Sequence, residues 1–131
     1  MIVLDTHIWV WWVHHDNQLP ARHHAFLEAN EDSGFGISAI SCWEIVKLVE
    51  YDRLTLPTTV EKWLHQALTY PGVELLHLTP RIAVEFTQLP APVHCDPADQ
   101  IIIVTARTYD CPLMTLDNKI LNYPPVQKVL L

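Results

Sequence analysis

Four short apolar runs in this chain, "IVLD", "GFGIS", "VELLHL" and "PLMTLD", are each followed by a stretch that reads as helix. They lead into "THIWVWWVHH", "SCWEIVKLVEY", "PRIAVEFTQ" and the short turn "NKIL". Further helices are expected from about Ala21 to Asp32, over "TVEKWLHQAL", and from near Pro97, with a last strand in "VQKVLL". Thr58 and Glu61 have capping-box spacing, and Thr79-Pro80 is a helix start. Strands that alternate with helices need crossover connections. The expected fold class is therefore α/β: a three-layer sandwich with a mostly parallel central sheet flanked by helices. With 131 residues, half of them hydrophobic, residues 1–131 suit one compact domain.

Several functional classes are excluded early. Only three glycines are present, so a glycine-rich phosphate cradle is ruled out. Cys42, Cys95 and Cys111 are odd in number and show no close pairing, which argues for reduced thiols in a cytoplasm. Met1 to Val13 is interrupted by Asp5 and His7 and lacks a basic leader, so it reads poorly as a signal peptide. No apolar stretch is long enough to span a bilayer. The net charge is −7, which by itself speaks against nucleic-acid binding, since phosphate contacts need Lys and Arg. That objection weakens if the acids surround a cation, or if a basic partner supplies part of the field.

In parallel sheets, ligands gather beyond the carboxyl ends of the strands. "IVLDT" ends in Asp5 and "MTLDN" in Asp117, while Glu44 lies in the first turn of the helix after "GFGIS". Asp96 and Asp99, in "HCDPADQIII", stand at another helix start. Each acid also has a plain explanation as a helix cap: Asp96 before Pro97, Ser41 with Glu44, Asp117 before "NKIL", Asp5 before the first helix. Capping gives no reason for acids to recur on one edge. Two carboxylates about 5 Å apart repel by about 3 kcal/mol at an effective dielectric near 20, against about 1 kcal/mol gained per cap. A divalent cation would neutralise such a cluster, and hard oxygen ligands select Mg²⁺ or Mn²⁺ over zinc.

The segments "IVLDTHIWVWW", "ISAISCWEIVKL", "HCDPADQIIIVTA" and "LMTLDNKI" together resemble the PIN domain in order and spacing, over essentially the whole chain. The nearest likeness is to VapC-type ribonuclease toxins of bacterial toxin–antitoxin pairs. By that resemblance, Asp5, Glu44, Asp99 and Asp117 match the catalytic acidic quartet that binds Mg²⁺ or Mn²⁺. Asp96 matches a frequent fifth acid, and Thr6 and Thr115 match supporting hydroxyl positions. Gln100 stands where relatives often carry Arg, and Ala98 where an aromatic is common. The resemblance implies a metal-dependent endoribonuclease that hydrolyses RNA phosphodiesters with a metal-activated water. It also implies a cognate antitoxin and a homodimer.

Other readings fit parts of the sequence. A non-catalytic PIN-like module, or a receiver-like phosphoacceptor, also places acids at strand ends, but the receiver design wants an acidic pair at the first strand. A metal-free ribonuclease using a histidine pair is conceivable among eight histidines. His14-His15 and His23-His24 are adjacent, so their side chains diverge on a helix. His7, His65 and His77 read as ordinary surface or boundary residues, and His94 as at most a neighbour of the chemistry. Trp9, Trp12, Trp43 and Trp63 read as core or interface residues, with base stacking by Trp43 a remoter option. Trp11 is the candidate dimer contact, and "QIIIVTA" a buried helix face.

Overall fold

A computed structural model describes residues 1–131. Its sheet has four strands, β1 (Ile2–Leu4), β2 (Phe35–Ser38), β3 (Val73–Leu76) and β4 (Leu113–Met114), in the order β3-β2-β1-β4. All three pairings are parallel, with Val3 opposite both Gly36 and Leu113. Seven helices connect and flank the strands: α1 (Thr6–Val13), α2 (Ala21–Ala29), α3 (Ala39–Glu50), α4 (Val60–Leu68), α5 (Pro80–Phe86), α6 (Pro97–Thr108) and α7 (Asn118–Leu121).

The period-2 alternation of a strand splits the core into two layers. Ile2 and Leu4 of β1 and Met114 of β4 join Phe35, Ile37, Trp9, Trp12 and Trp63 on one face. Val3 and Leu113 point the other way, into a cluster with Ile102, Ile103, Ala106, Ile120 and Tyr123. The expected three-layer α/β sandwich is therefore what the chain builds. Gly36 is required on the second face, because a Cβ there would stand 2.6 Å from Leu76 Cδ1. The α6 run "IIIVTA" is buried as expected, from Ile102 to Ala106.

Five local expectations need correction. The helix expected to reach Asp32 stops at Ala29, where Asn30 Nδ2 donates to Phe26 O at 2.7 Å and a 3₁₀ turn follows at Glu31–Ser33. The cap of α3 is Ser38 rather than Ser41, and that of α4 is Thr59 rather than Thr58, each accepting from a backbone N–H in the first turn. The last segment forms one isolated parallel bridge, Leu113 with Lys128, and no strand. Pro124 and Pro125 hold its approach, and β4 offers only two residues to pair with. Trp9, Trp12 and Trp63 are buried, but Trp43 is 53% exposed and does not belong to the core.

Because every strand runs the same way, the carboxyl ends of β1, β2 and β4 share one edge. Asp5 N–H donates to Met114 O at 3.0 Å, which ties the end of β1 to the end of β4.

Candidate active site

Asp5 follows β1 directly and is 2% exposed. Both of its oxygens are held: Oδ1 accepts from Thr6 N–H at 2.8 Å, and Oδ2 from the Thr115 hydroxyl at 2.6 Å. Thr115 is oriented in turn, since its Oγ1 accepts from Asp117 N–H at 3.0 Å. A buried carboxylate is tolerable only with such partners. Thr115 is the side chain that holds Asp5 Oδ2.

Thr6 supports Glu44 in the same manner. Its Oγ1 lies 2.8 Å from Ser41 Oγ and 2.7 Å from Glu44 Oε1. One hydroxyl has one proton, and an ionised carboxylate cannot donate. Thr6 therefore gives its proton to Glu44 and receives one from Ser41. Burial pushes the Glu44 carboxyl up; the Thr6 hydrogen bond opposes that, and the charges of Asp5 and Asp96 reinforce it.

Asp99 differs from both. Its side chain makes no hydrogen bond, and only its backbone N–H is engaged, donating to Asp96 Oδ1 at 2.9 Å. Burial, followed by the charges of Asp5, Asp96, Glu44 and Asp117, raises its carboxyl to about 7. The carboxyl is thus disfavoured as an anion first by its surroundings and then by four like charges.

Asp5, Thr6, Glu44, Asp99 and Asp117 line one cleft of about 440 Å³ at the carboxyl edge. Asp96 is not among its lining residues; it caps α6 and borders an adjoining apolar groove with Glu44, Trp43 and Ile101. Asp117 caps α7 by accepting from Lys119 N–H at 2.9 Å. Capping and clustering are thus compatible at Asp5 and Asp117. No three His, Cys, Asp or Glu side chains stand in a ready-made metal-ligating group. The acids share a cleft without converging on a common point.

Two polar residues at the site were not singled out by sequence reasoning. Ser41, read as a possible helix cap, is instead fully buried behind Thr6. His7, read as an ordinary boundary residue, has its Nε2 accepting from Leu116 N–H at 3.3 Å and its Nδ1 3.6 Å from Asp5 Oδ2. The available signal was position: His7 lies two residues past an acid at a strand end. His94 stands away from the cleft, in a second pocket with Lys119 and Asn122. Gln100 donates from Nε2 to Cys95 O at 2.8 Å, bracing the turn before α6.

Comparison with known proteins finds relatives in sequence and in fold. The chain is 31% identical over 123 residues to Ribonuclease VapC22 of Mycobacterium tuberculosis, covering 93% of this chain and 91% of that protein. In fold it is similar to VapBC2 from Rickettsia felis, solved bound to a DNA fragment from their promoter, with a TM-score of 0.72, 18% identity and 98% of each chain covered. It is also similar to FitAcB from Neisseria gonorrhoeae, with a TM-score of 0.68, 21% identity, and 99% and 97% of the two chains covered. The PIN domain model matches residues 2–124, and the chain belongs to the PIN domain family.

Proposed function

We propose that this chain is a metal-dependent endoribonuclease that acts as the toxin of a toxin–antitoxin pair. The observation that carries this reading is that Asp5, Glu44, Asp99 and Asp117 line one cleft, with Asp99 raised to about 7 by burial and by its neighbours' charges. Such crowding of like charge is a cost that a binding function would not need. Its resemblance to a named ribonuclease over most of its length supports RNA as the substrate.

The donor set fits a hard divalent cation, Mg²⁺ or Mn²⁺, because the cleft offers carboxylate oxygens and no cluster of thiols or imidazoles. Asp5 and Asp99 would be its principal holders, with Glu44 and Asp117 completing the set largely through water, as Mg²⁺ prefers. Asp96 adds its charge from the adjoining groove. Bound there, the cation would polarise the phosphodiester and acidify the attacking water. The chain's own part is positioning. Thr115 and Thr6 N–H fix Asp5, and the Ser41–Thr6 pair fixes Glu44. Asp99, with no hydrogen bond of its own, is the carboxylate free to take a proton from water.

Total RNA incubated with the purified chain and Mg²⁺ or Mn²⁺ is cleaved, and excess EDTA stops it. Cleavage that persists in EDTA overturns the metal-dependent reading and favours a histidine mechanism. The antitoxin is a small protein encoded beside this chain: expression of this chain alone arrests growth, and co-expression restores it. A homodimer and residence in the cytoplasm complete the proposal; three free thiols agree with the latter.

A further inference from the structure

The ribonuclease reading leaves one difficulty. An RNA chain must approach a cleft lined by five carboxylates, Asp16 beside Asp5, Glu44, Asp99 and Asp117, on a protein carrying −7. Of the eight Lys and Arg residues, one lines that cleft: Arg53. Its guanidinium makes no hydrogen bond and no ion pair within the chain. Arg107, Lys128 and Lys47, by contrast, are engaged by Pro125 O, Tyr123 O and Glu50.

The placement of Arg53 is built into the backbone. Helix α3 ends at Glu50, Asp52 turns the chain at φ 56°, and Arg53 N–H donates back to Leu48 O at 2.8 Å. Asp tolerates this left-handed conformation better than most residues. Leu54 then packs against the core, so Arg53 is held between a closed helix end and an anchored apolar side chain. Trp11 lines the same cleft, half-buried, with its ring edge-on to His7 at 5.0 Å. His7 is itself fixed by Leu116 N–H. Beside them His14 accepts from Trp63 Nε1 at 2.8 Å through Nε2. Its proton therefore sits on Nδ1, a second donor on this wall.

From these positions we infer that the Arg53 end of the cleft is a subsite for single-stranded RNA next to the bond that is cut. Arg53 takes a backbone phosphate, and Trp11 takes the adjoining base by stacking. The inference rests on the ribonuclease reading and deepens it. A planar guanidinium suits phosphate oxygens in a way that a lone ammonium does not. An indole accepts any base, so this end of the cleft grips RNA without selecting sequence. One cation set against five acids makes the chain tolerant of RNA only where the phosphate falls beside Arg53, which places the substrate in register.

The test is steady-state cleavage of a single-stranded RNA oligonucleotide by the whole chain in Mg²⁺, over a series of KCl concentrations. Arg53→Gln raises KM by about tenfold with kcat nearly unchanged, because the contact is equal in ground and transition states. It also flattens the plot of log kcat/KM against log [KCl] by about 0.7, the loss of one single-strand phosphate contact. Arg81→Gln, an equal charge loss on the exposed start of α5, leaves both quantities unchanged. Trp11→Leu raises KM by about tenfold, whereas Trp11→Phe, which keeps an aromatic face, retains most of the affinity. If the unaltered chain cleaves RNA while Arg53→Gln keeps its KM and salt slope, the subsite is overturned and the ribonuclease reading stands. If Arg81→Gln shifts both as much as Arg53→Gln does, the effect is bulk charge and the subsite is likewise overturned. If the unaltered chain cleaves no RNA in any divalent cation, both readings fall.

Discussion

Asp5 and Asp99 face the same cleft and are prepared for it in opposite ways. Asp5 is almost fully buried, yet each of its oxygens accepts a short hydrogen bond, one from a backbone N–H and one from Thr115. Asp99 is half-buried, its carboxyl has no donor, and burial followed by the charges of four other acids raises it to about 7. The difference lies in what compensates the charge. At Asp5 the protein supplies the compensation, which fixes geometry in advance. At Asp99 the protein supplies burial and repulsion, and compensation is left to whatever binds. A site that has to hold a cation and still release product needs both kinds of ligand.

The sharpest way to break this comparison is to neutralise the uncompensated acid. Asp99→Asn leaves the fold intact, because no hydrogen bond to its side chain is lost, and lowers RNA cleavage by about three orders of magnitude. Circular dichroism and a cleavage assay on the same preparation check both halves; a large loss of thermal stability would show Asp99 to be structural. Next in size is Thr115→Val, which keeps the shape at the end of β4 but removes the donor to Asp5 Oδ2. An unsatisfied buried acceptor costs about 1–3 kcal/mol of stability. Loss of a residue that orients a ligand costs about 10- to 100-fold in metal affinity or activity. A silent Thr115→Val would mean that the Thr6 N–H bond and burial suffice to hold Asp5.

The same contrast explains how much of the site could be read in the sequence. Asp5 and Asp117 were legible because each ends an apolar run on the edge that the parallel topology shares. Asp96, with Pro97 after it, was legible as a cap, and accepts from Asp99 N–H as a cap should. The partners that act through tertiary contact were not legible. Ser41 is 35 residues from the Thr6 hydroxyl it serves, and no local rule distinguishes it from a helix-capping serine. His7 meets Leu116 across 109 positions because β1 and β4 are neighbours, a fact of topology and not of spacing. Element types were recovered nearly throughout, since hydrophobic period reports which face is buried. The misplaced boundaries turned on single side chains, such as Asn30 bonding Phe26 O and Ser38 capping α3.

A smaller effect follows from the direction of the Asp99 shift. In the folded, metal-free chain Asp99 ionises near 7, against about 3.9 for an unperturbed aspartate. Between those values the folded state keeps a proton that the unfolded chain has already released. Its contribution to stability is therefore complete below about pH 4 and fades as pH rises to 7. Glu44, also raised, acts in the same sense. Melting curves in EDTA should show Tm falling by about 4 °C over that window, the shift produced by about 1 kcal/mol in a domain of this size. Asp99→Asn should flatten the fall, and Mg²⁺ at pH 7.5 should restore Tm in proportion to its concentration. An Asp99→Asn profile that overlays that of the unaltered chain would contradict the burial and crowding on which Asp99's shift depends.

The smallest effect separates the two things that Asp96 does. As a cap it accepts from Asp99 N–H; as a charge it raises Asp99 and Glu44 from the next groove. Asparagine caps a helix about as well as aspartate, whereas alanine does not. Asp96→Asn therefore removes the charge and keeps the cap, while Asp96→Ala removes both. The alanine variant should be less stable than the asparagine variant by about 1 kcal/mol, and that difference isolates the cap. Relative to the unaltered chain in EDTA at pH 7.5, Asp96→Asn should be slightly more stable, since one repulsive term at Asp99 is gone. Its RNA cleavage should stay within a few-fold, because Asp96 lies outside the acidic cleft. If Asp96→Asn instead loses as much activity as Asp99→Asn, Asp96 holds the cation directly and the division between cleft and cap at this helix start dissolves.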